Sequence, residues 1–303
     1  GYIGGSILER LLVHPNAHSF EITTLVRSQN KADKLKKLGV TPADADDLEA
    51  AKAILRGLRR RHRATGIPSI FIHTSGTGLL SDNAAGLYAT DKIWDDADAD
   101  DLETLPDSAP HRDVDLAIIN ADNEGYVRTY LVAPSTIYGL ATGRLVKAEI
   151  ANNHSQQVPR LIRTALDRRR AGMVGKGVNI WPNVHIDDIG DLYIALFDAA
   201  IADPRTRHGR EGYYFGENGE HTLYEVGKHI GRVLVELGKS DIAEPTTFTP
   251  KEIDKYFAGS TSLGSNSRCR GNRSRMIGWQ PKKTTKDLFA SIRPEVDDIL
   301  RRG

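Results

Sequence analysis

Short apolar runs alternate with amphipathic stretches along most of the chain. β-branched and aromatic residues cluster at 21–27, 67–72, 127–132 and 212–215, which predicts buried strands. In the stretches between them apolar residues recur every three or four positions, which predicts helices. This alternation is typical of an α/β fold built around a parallel sheet. The predicted helices cover about 30–38, 48–63, 111–124, 158–170, 189–202 and 224–237, with a last helix from about 285.

The first residues combine glycines with the start of a helix. The apolar positions between Ile7 and Leu12 lie on one helical face, directly after Gly1 and Gly4. Glycines ahead of such a helix let a phosphate approach the backbone N–H groups and the positive end of the helix dipole. A helix with a flexible N-terminal end accounts for the same residues, so this fragment alone leaves both interpretations open.

A basic cluster follows the strand predicted at 21–27. Arg27 and Ser28 end that strand, and Lys31 lies just beyond them, with no acidic residue at 26–28. In a dinucleotide-binding fold the residue at this place contacts the adenosine ribose, and an arginine suits the 2′-phosphate of NADP better than the free hydroxyl of NAD. The sequence therefore favours NADP, with NAD as the alternative and a solvated basic helix start as the non-functional explanation.

Several motifs together resemble a known family. Gly1-Tyr2-Ile3-Gly4 resembles the last two glycines of the Thr-Gly-x-x-Gly-x-x-Gly signature of extended or atypical short-chain dehydrogenases/reductases, which include nucleotide-sugar epimerases and NmrA-like proteins. The resemblance implies that these four residues bind the cofactor. Further partial matches occur in the family's order along the chain, at 134–139, 184–188 and 278–281.

The family resemblance also implies an architecture. It predicts an incomplete Rossmann-type doubly wound parallel sheet at 1–150 and a smaller substrate lobe at 151–303, with about 175–202 returning to the Rossmann core. Only nine residues separate Leu38 from Leu48, which is too few for a parallel crossover of a dozen residues or more. We therefore expect the first strand to precede residue 1 and an internal segment to be missing near Pro42. A true short connection is the alternative.

Candidate catalytic residues lie in the middle of the chain. Tyr88-x-x-x-Lys92 matches the spacing with which a lysine lowers the pKa of a tyrosine on one helical face, thirteen residues after Ser75. Ser75 follows a predicted strand and resembles the family's serine that binds a substrate oxygen. In extended members the dyad would fall at Ser108 and Arg112, which do not match. A coincidental match in a polar loop and a serine that caps a glycine turn are the alternatives.

The same resemblance assigns the remaining site residues. The turn from Pro134 to Tyr138 is expected to face the nicotinamide. Asn152, Asn153 and Ser155 occupy the place where extended members hold substrate, with His185 beside them. Asp187 or Asp188 is expected to cap the following helix. One histidine two residues before an acid lacks the further ligands of a metal site, so no metal is expected.

Composition limits the functions that remain. The 303 residues carry 41 Lys and Arg against 40 Asp and Glu, and this balance gives no global field for nucleic acid. No apolar run reaches 18 residues, so no membrane association is expected. The single cysteine, Cys269, fits a reducing compartment, and the cytoplasm is the expected location. The acidic run 95–101 and the polar stretch 258–272 are predicted to be a solvated loop and a linker.

The sequence thus predicts an NADP-preferring oxidoreductase or an epimerase/dehydratase-like protein. It would act by hydride transfer on a small carbonyl or hydroxyl substrate, with Ser75 polarising the oxygen and Tyr88 as proton donor. A non-catalytic NADP-binding regulator of the NmrA-like kind and a truncated inactive chain are the competing hypotheses. A homodimer is compatible with each of them.

Overall fold

A computed structural model describes residues 1–20, 22 and 47–302 of the chain. The predicted NADP-binding residues Arg27, Ser28 and Lys31 lie outside the described residues. The expected strand at 21–27, the helix at 30–38 and the junction near Pro42 also lie outside them.

The described residues form helices and strands close to those that the periodicity predicts, with short helical turns between them. The strands are β1 Ser69–Thr74, β2 Trp94–Asp95, β3 Val127–Pro134, β4 Thr136–Tyr138, β5 Gly172–Met173, β6 Ile180–His185, β7 Tyr213–Gly216, β8 Glu220–Thr222, β9 Thr246–Thr247 and β10 Cys269–Arg270. The helices are α1 Tyr2–Leu11, α2 Leu48–Thr65, α3 Ala99–Glu103, α4 Arg112–Asn123, α5 Arg144–Lys147, α6 Gln157–Arg168, α7 Ile186–Ala202, α8 Leu223–Glu236, α9 Pro250–Phe257, α10 Asn272–Met276 and α11 Thr285–Arg302.

The central sheet has the order β1, β3, β7, and all of its pairings are parallel. Ser69 pairs with Val127 at one edge, and Leu131 pairs with Tyr213 at the other. All of β3 except Arg128 is buried. A parallel strand that is covered on both faces needs a nearly continuous apolar sequence, which explains the run of β-branched and aromatic residues here.

Helices cover both faces of this sheet. Leu131 packs with residues of α2 and α4, whereas its neighbour Val132 packs with residues of α7 and α1. Successive side chains of a strand point to opposite faces, so the single strand β3 contributes to both layers. The architecture is therefore α/β and Rossmann-type, as the sequence predicts.

A third apolar cluster joins α6, α8 and α11. It lies beside a second sheet, in which β6 pairs parallel with β4 and antiparallel with β8. Two further parallel pairs, β5 with β9 and β2 with β10, connect distant parts of the chain. None of the helices in the described ranges is long and apolar enough to cross a lipid bilayer.

The acidic run at 95–101 is not simply a solvated loop, because Asp96 is 1% exposed. Its carboxylate accepts hydrogen bonds from the backbone N–H of Phe215 at 2.9 Å, of Arg273 at 2.6 Å and of Ser274 at 3.2 Å. Burial raises the pKa of Asp96 to about 6 despite these donors. Asp96 thus fastens α10 to β7.

The polar stretch 258–272 is not a linker either. Ser265, Asn266 and Ser267 are almost completely buried. Asn266 accepts from the Ile180 N–H at 2.8 Å and donates to Asp82 at 2.9 Å. The prediction was wrong because polar side chains can be buried when each finds a partner, which their composition does not reveal.

Replacing Asp96 by Ala is expected to lower the free energy of unfolding by about 3 kcal/mol or more, because three buried backbone donors lose their acceptor. Urea denaturation at pH 7.5 measures the change. Asp98→Ala is the matched control, since Asp98 caps the short helix α3 at the surface and its loss is expected to cost about 1 kcal/mol. Equal effects of the two substitutions would contradict the role of Asp96.

Candidate active site

A buried polar cluster lies at the carboxyl end of β1. The Ser75 hydroxyl donates to Asp115 Oδ2 at 2.7 Å, and the Tyr213 hydroxyl donates to the same oxygen at 3.0 Å. Arg112 Nη1 in turn donates to the Tyr213 hydroxyl oxygen at 3.1 Å. Asp115 is fully buried, and Ser75 retains 7% exposure. The serine is therefore the member of the Ser75–Asp115 pair that keeps some exposure to solvent.

The local fold explains this arrangement. The Ser75 N–H donates to the carbonyl of Val132 at 2.8 Å, which extends the parallel pairing one residue beyond β1. Alternation along the strand directs Ser75 and His73 toward α4, while Thr74 on the opposite side meets the Tyr193 hydroxyl at 2.5 Å. His73 Nε2 lies 3.9 Å from Asp115 Oδ1. Asp115 comes from the first turn of α4, where a carboxylate is favoured by the helix dipole.

Burial dominates the titration of the cluster. It raises the pKa of Asp115 to about 6, against the lowering effect of the hydrogen bonds from Ser75 and Tyr213. Burial likewise raises the pKa of Tyr213 well above its ordinary value. Asp115 can consequently gain and lose a proton near neutral pH, which suits an acid or base that acts through the Ser75 hydroxyl.

His111 stands beside this pair. Its backbone is left-handed, with φ of 67°, and it occupies the position immediately before α4. A Cβ at Gly76 would lie 3.0 Å from His111 Nε2, and one at Gly78 would lie 3.4 Å from it. These glycines let the imidazole pack against the chain that follows Ser75.

The structure does not bring Tyr88 and Lys92 together on a helix. Residues 88–93 have no helical structure, and four residues of extended chain span up to ~13 Å. Tyr88 is 51% exposed. Lys92 instead binds Asp101 at 2.6 Å and lies over the Trp94 ring at 4.3 Å. The spacing matched the motif, but the polar sequence around it does not form the helix that the motif requires.

The glycine-rich start lies within helix α1. No heavy atom would come within 4 Å of a Cβ at Gly1 or Gly4, so the backbone there is open to approach. The Tyr2 hydroxyl donates to the Gly139 carbonyl at 2.5 Å, and Ile3 packs with the cluster around α7. The structure thus joins the 1–4 segment to the turn after β4.

Two further predicted residues lie just before that turn, in β3 and β4. Pro134 ends β3, and Tyr138 is fully buried, with its hydroxyl donating to the Thr284 carbonyl at 2.7 Å. The His185 ring meets Tyr138 edge to face at 5.2 Å. Gly139 has φ of 91°, and a Cβ there would collide with the His185 ring.

The expected cap of α7 is a different residue. His185 Nδ1 accepts from the Asp187 N–H at 3.2 Å and caps the helix. Asp188 instead accepts from the backbone N–H groups of Lys282 and Lys283. The expectation of an aspartate cap was wrong because His185, the residue just before the helix and two before Asp187, supplies the acceptor.

The predicted substrate segment lies against the last helix. Asn153 donates to Asp298 at 2.9 Å, whereas Asn152 is exposed. The Ser155 hydroxyl is buried and has no hydrogen-bond partner among the described residues. His154 Nε2 lies 2.8 Å from Asp298, and Glu295 of the same helix accepts from the Gly139 N–H at 3.2 Å. No sequence motif indicated the two acids of α11.

Comparison with known proteins finds relatives of this chain and solved structures that share its fold. No family model matches the chain. The chain is 27% identical to oxidase ucsJ of Acremonium sp, with 99% of this chain and 96% of that protein aligned. It is 23% identical to the uncharacterized protein C2A9.02 of Schizosaccharomyces pombe, over 94% of this chain and 93% of that protein.

Solved structures align over nearly the whole chain. A double mutant of the dTDP-glucose 4,6-dehydratase DesIV of Streptomyces venezuelae, with NAD bound, has a TM-score of 0.60 at 15% identity and covers 98% of this chain and 94% of its own. The UDP-glucose 4-epimerase of Thermus thermophilus, in complex with NAD, has a TM-score of 0.55 at 15% identity and covers 98% and 95%. The chain has the short-chain dehydrogenase/reductase fold.

The resemblance placed the dyad of extended members at Ser108 and Arg112. Arg112 begins helix α4 and joins the cluster of Asp115 and Tyr213. Sequence reasoning missed Asp115, although an arginine and an aspartate three residues apart on a predicted helix share one face.

The alignment with ucsJ is longer than this chain. It runs over 351 positions, whereas the chain has 303 residues, so at least 48 positions face a gap in this chain. The missing internal segment near Pro42 stays a prediction.

The raised pKa of Asp115 predicts a pH dependence of stability. Between pH 4 and 6 the folded protein retains a proton that the unfolded chain has released, so ionisation of Asp115 lowers the free energy of unfolding as the pH rises. Asp115→Asn removes this cost. Its stability relative to wild type is expected to rise by up to ~3 kcal/mol from pH 4 to pH 7, as measured by urea denaturation.

Asp113→Asn is the control for this measurement, because Asp113 is an exposed aspartate on the same turn of α4. Its stability relative to wild type should stay constant over the same range. If the stability of Asp115→Asn relative to wild type also stayed constant with pH, Asp115 would not bind a proton in this range.

Proposed function

We propose that the chain is a nicotinamide-dependent oxidoreductase or epimerase/dehydratase-like enzyme that acts on a small carbonyl or hydroxyl substrate. The observation that carries this proposal is the Ser75–Asp115 pair. A serine at the end of a sheet strand donates a hydrogen bond to a buried carboxylate whose pKa is about 6. Ligands of open α/β folds bind at the carboxyl ends of the strands. In this proposal residues 1–150 hold the cofactor and 151–303 supply the substrate lobe.

The described residues fit a dinucleotide at the start of α1. The space beside Gly4 is open, and the first N–H groups of a ten-residue helix favour a phosphate. Tyr2 and Ile3 contribute through their backbone in this proposal, since their side chains already pack elsewhere. We assign the adenosine 2′-phosphate of NADP to Arg27, Ser28 and Lys31 on sequence grounds.

A bound nicotinamide supplies or accepts a hydride at its C4 atom. The side chains of the protein then have to transfer the proton that the substrate oxygen gains or loses. In the direction of reduction, the Ser75 hydroxyl gives its proton to the developing alkoxide and recovers one from protonated Asp115. In the direction of oxidation, the substrate hydroxyl passes its proton to Ser75 while the Ser75 proton moves to the Asp115 carboxylate. Tyr213 holds the carboxylate in place, and Arg112 holds Tyr213.

One observation favours a second candidate function. Tyr88 and Lys92 do not share a helix, which fits a non-catalytic NADP-binding regulator of the NmrA-like kind. NADPH binding without turnover of any aldehyde or ketone in a panel, in both wild type and Tyr88→Phe, would exclude the enzyme.

Ser75→Ala is expected to lower kcat for NADPH-dependent ketone reduction by about 100-fold, the range of a lost general acid. The Kd for NADPH should change by less than about twofold, since Ser75 does not touch the phosphate cradle in this proposal. Stopped-flow turnover and fluorescence titration measure the two quantities.

Ser69→Ala is the matched control, because this serine lies at the opposite end of β1 and accepts a hydrogen bond from Arg61. A full rate for Ser75→Ala, or an equal loss in the control, would contradict a role for Ser75 in proton transfer.

Arg27→Ala tests the cofactor preference. Loss of a charge-assisted contact to the 2′-phosphate is expected to weaken NADPH binding by roughly 1.5–3 kcal/mol while NADH binding changes little. Lys37→Ala, ten residues further along the same basic stretch, is the control and should affect neither cofactor. An equal loss for both cofactors in Arg27→Ala would argue against NADP.

A further inference from the structure

A groove of about 800 Å³ runs between the 79–110 segment and the 259–268 segment. Its lining mixes apolar residues, such as Trp94, Leu105 and Pro106, with a larger number of polar ones. Small-molecule sites in proteins usually have volumes of this order. Its lining also contains hydroxyl groups from both segments, so polar contacts are available without net charge.

The groove lies directly beside the Ser75 cluster. Leu79 follows Ser75 by four residues, and Pro110, at the other end of the same segment, directly precedes His111. A Cβ at Gly78 would lie 3.4 Å from His111 Nε2 and 3.9 Å from Pro110 Cβ. His111 therefore lies at the junction between the Ser75–Asp115 pair and the groove.

Of the described residues that line the wall, two are cations, and one of them, Lys92, is already neutralised. Its ammonium donates to both carboxylate oxygens of Asp101, at 2.7 and 2.6 Å, and lies over the Trp94 ring at 4.3 Å. A ligand anion would have to displace Asp101 to reach it.

Arg268, the second cation, is paired more completely. It donates to both oxygens of Glu220, at 3.0 and 3.1 Å, and to the Thr90 carbonyl at 2.8 Å. This bidentate pair occupies the guanidinium N–H groups that would otherwise bind a phosphate. The acid of the groove, Asp82, is held by Asn266.

The nearby start of α4 does not favour an anion either. Asp113 and Asp115 both lie in its first turn, and they occupy the end of the helix dipole that would attract a phosphate. Among the described residues, the charged groups that line the groove are all paired within the protein.

We infer that the groove holds an uncharged carbonyl or hydroxyl compound and not a nucleotide sugar. This inference rests on the proposed function, because it names the substrate class of the site next to Ser75. Within the part of the chain that the structure describes, the groove offers a pyrophosphate no unpaired cation, so its entry would carry a large desolvation cost. A neutral ring system buries apolar surface against Trp94 and Leu105 and finds hydroxyl partners at the rim.

Calorimetric titration of the full chain without cofactor tests this inference. The probes are 2-acetonaphthone, a neutral aromatic ketone, and UDP-glucose. The ketone is expected to bind at least ten times more tightly than UDP-glucose at pH 7.5. Tighter binding of UDP-glucose, or no binding of the ketone, would overturn the inference.

Two substitutions locate the bound ketone. Ser108→Trp and Thr261→Trp place a large side chain on opposite walls of the groove at exposed positions, so the fold should be kept. Each is expected to weaken ketone binding at least tenfold. Ser240→Trp, outside the groove, is the control and should bind as wild type does. Unchanged affinity in both groove variants would place the ketone elsewhere and overturn the inference.

The outcomes separate this inference from the proposed function. Ketone binding in the groove without hydride transfer from NADPH would refute the enzyme and leave the groove assignment standing. Hydride transfer with UDP-glucose but not with neutral ketones would support the enzyme and refute the groove assignment.

Discussion

The structure depends on the burial of one strand. β3 pairs in parallel with β1 on one side and β7 on the other, and helices cover both of its faces. Its backbone groups must therefore be satisfied within the sheet, and its side chains must be apolar in both directions. This requirement aligns the carboxyl ends of β1, β3 and β7. Each strand therefore ends at the same edge of the sheet, where it is followed by Ser75, by the turn after Pro134 and by Glu217.

A buried acid at such an edge has to be held by donors. Asp115 and Asp96 are both buried carboxylates with a pKa of about 6, but their partners differ. Asp96 receives backbone N–H groups, which fix its position and connect segments of the fold. Asp115 receives hydroxyl groups from Ser75 and Tyr213. A hydroxyl can pass a proton on, whereas a backbone amide cannot. Asp96 also accepts from the Ser274 hydroxyl at 3.2 Å, but Ser274 is fully buried, whereas Ser75 keeps 7% exposure. Asp115 is therefore the carboxylate that suits proton transfer to a substrate.

The sequence could predict what depends on local pattern. The bounds of β3 and α4 follow from periodicity, and the glycine-rich start correctly marked α1. What it could not predict depends on partners distant in sequence. The burial of Asp96 requires Arg273 and Ser274, and the burial of Asn266 requires Asp82. The Tyr88-x-x-x-Lys92 match failed as a helical pair because spacing implies a face only where a helix forms.

The link between Asp96 and Arg273 spans 177 residues, and β10 pairs with β2 beside it. Contacts between such distant segments form slowly, because a long loop must close before any interaction rewards it. The sheet of β1 and β3 joins residues about 60 apart and can assemble earlier. Sequence separation alone predicts that the two walls of the groove meet after the central sheet has formed. An intermediate with a complete central sheet would carry the Ser75 end of the site but would lack the cavity next to it.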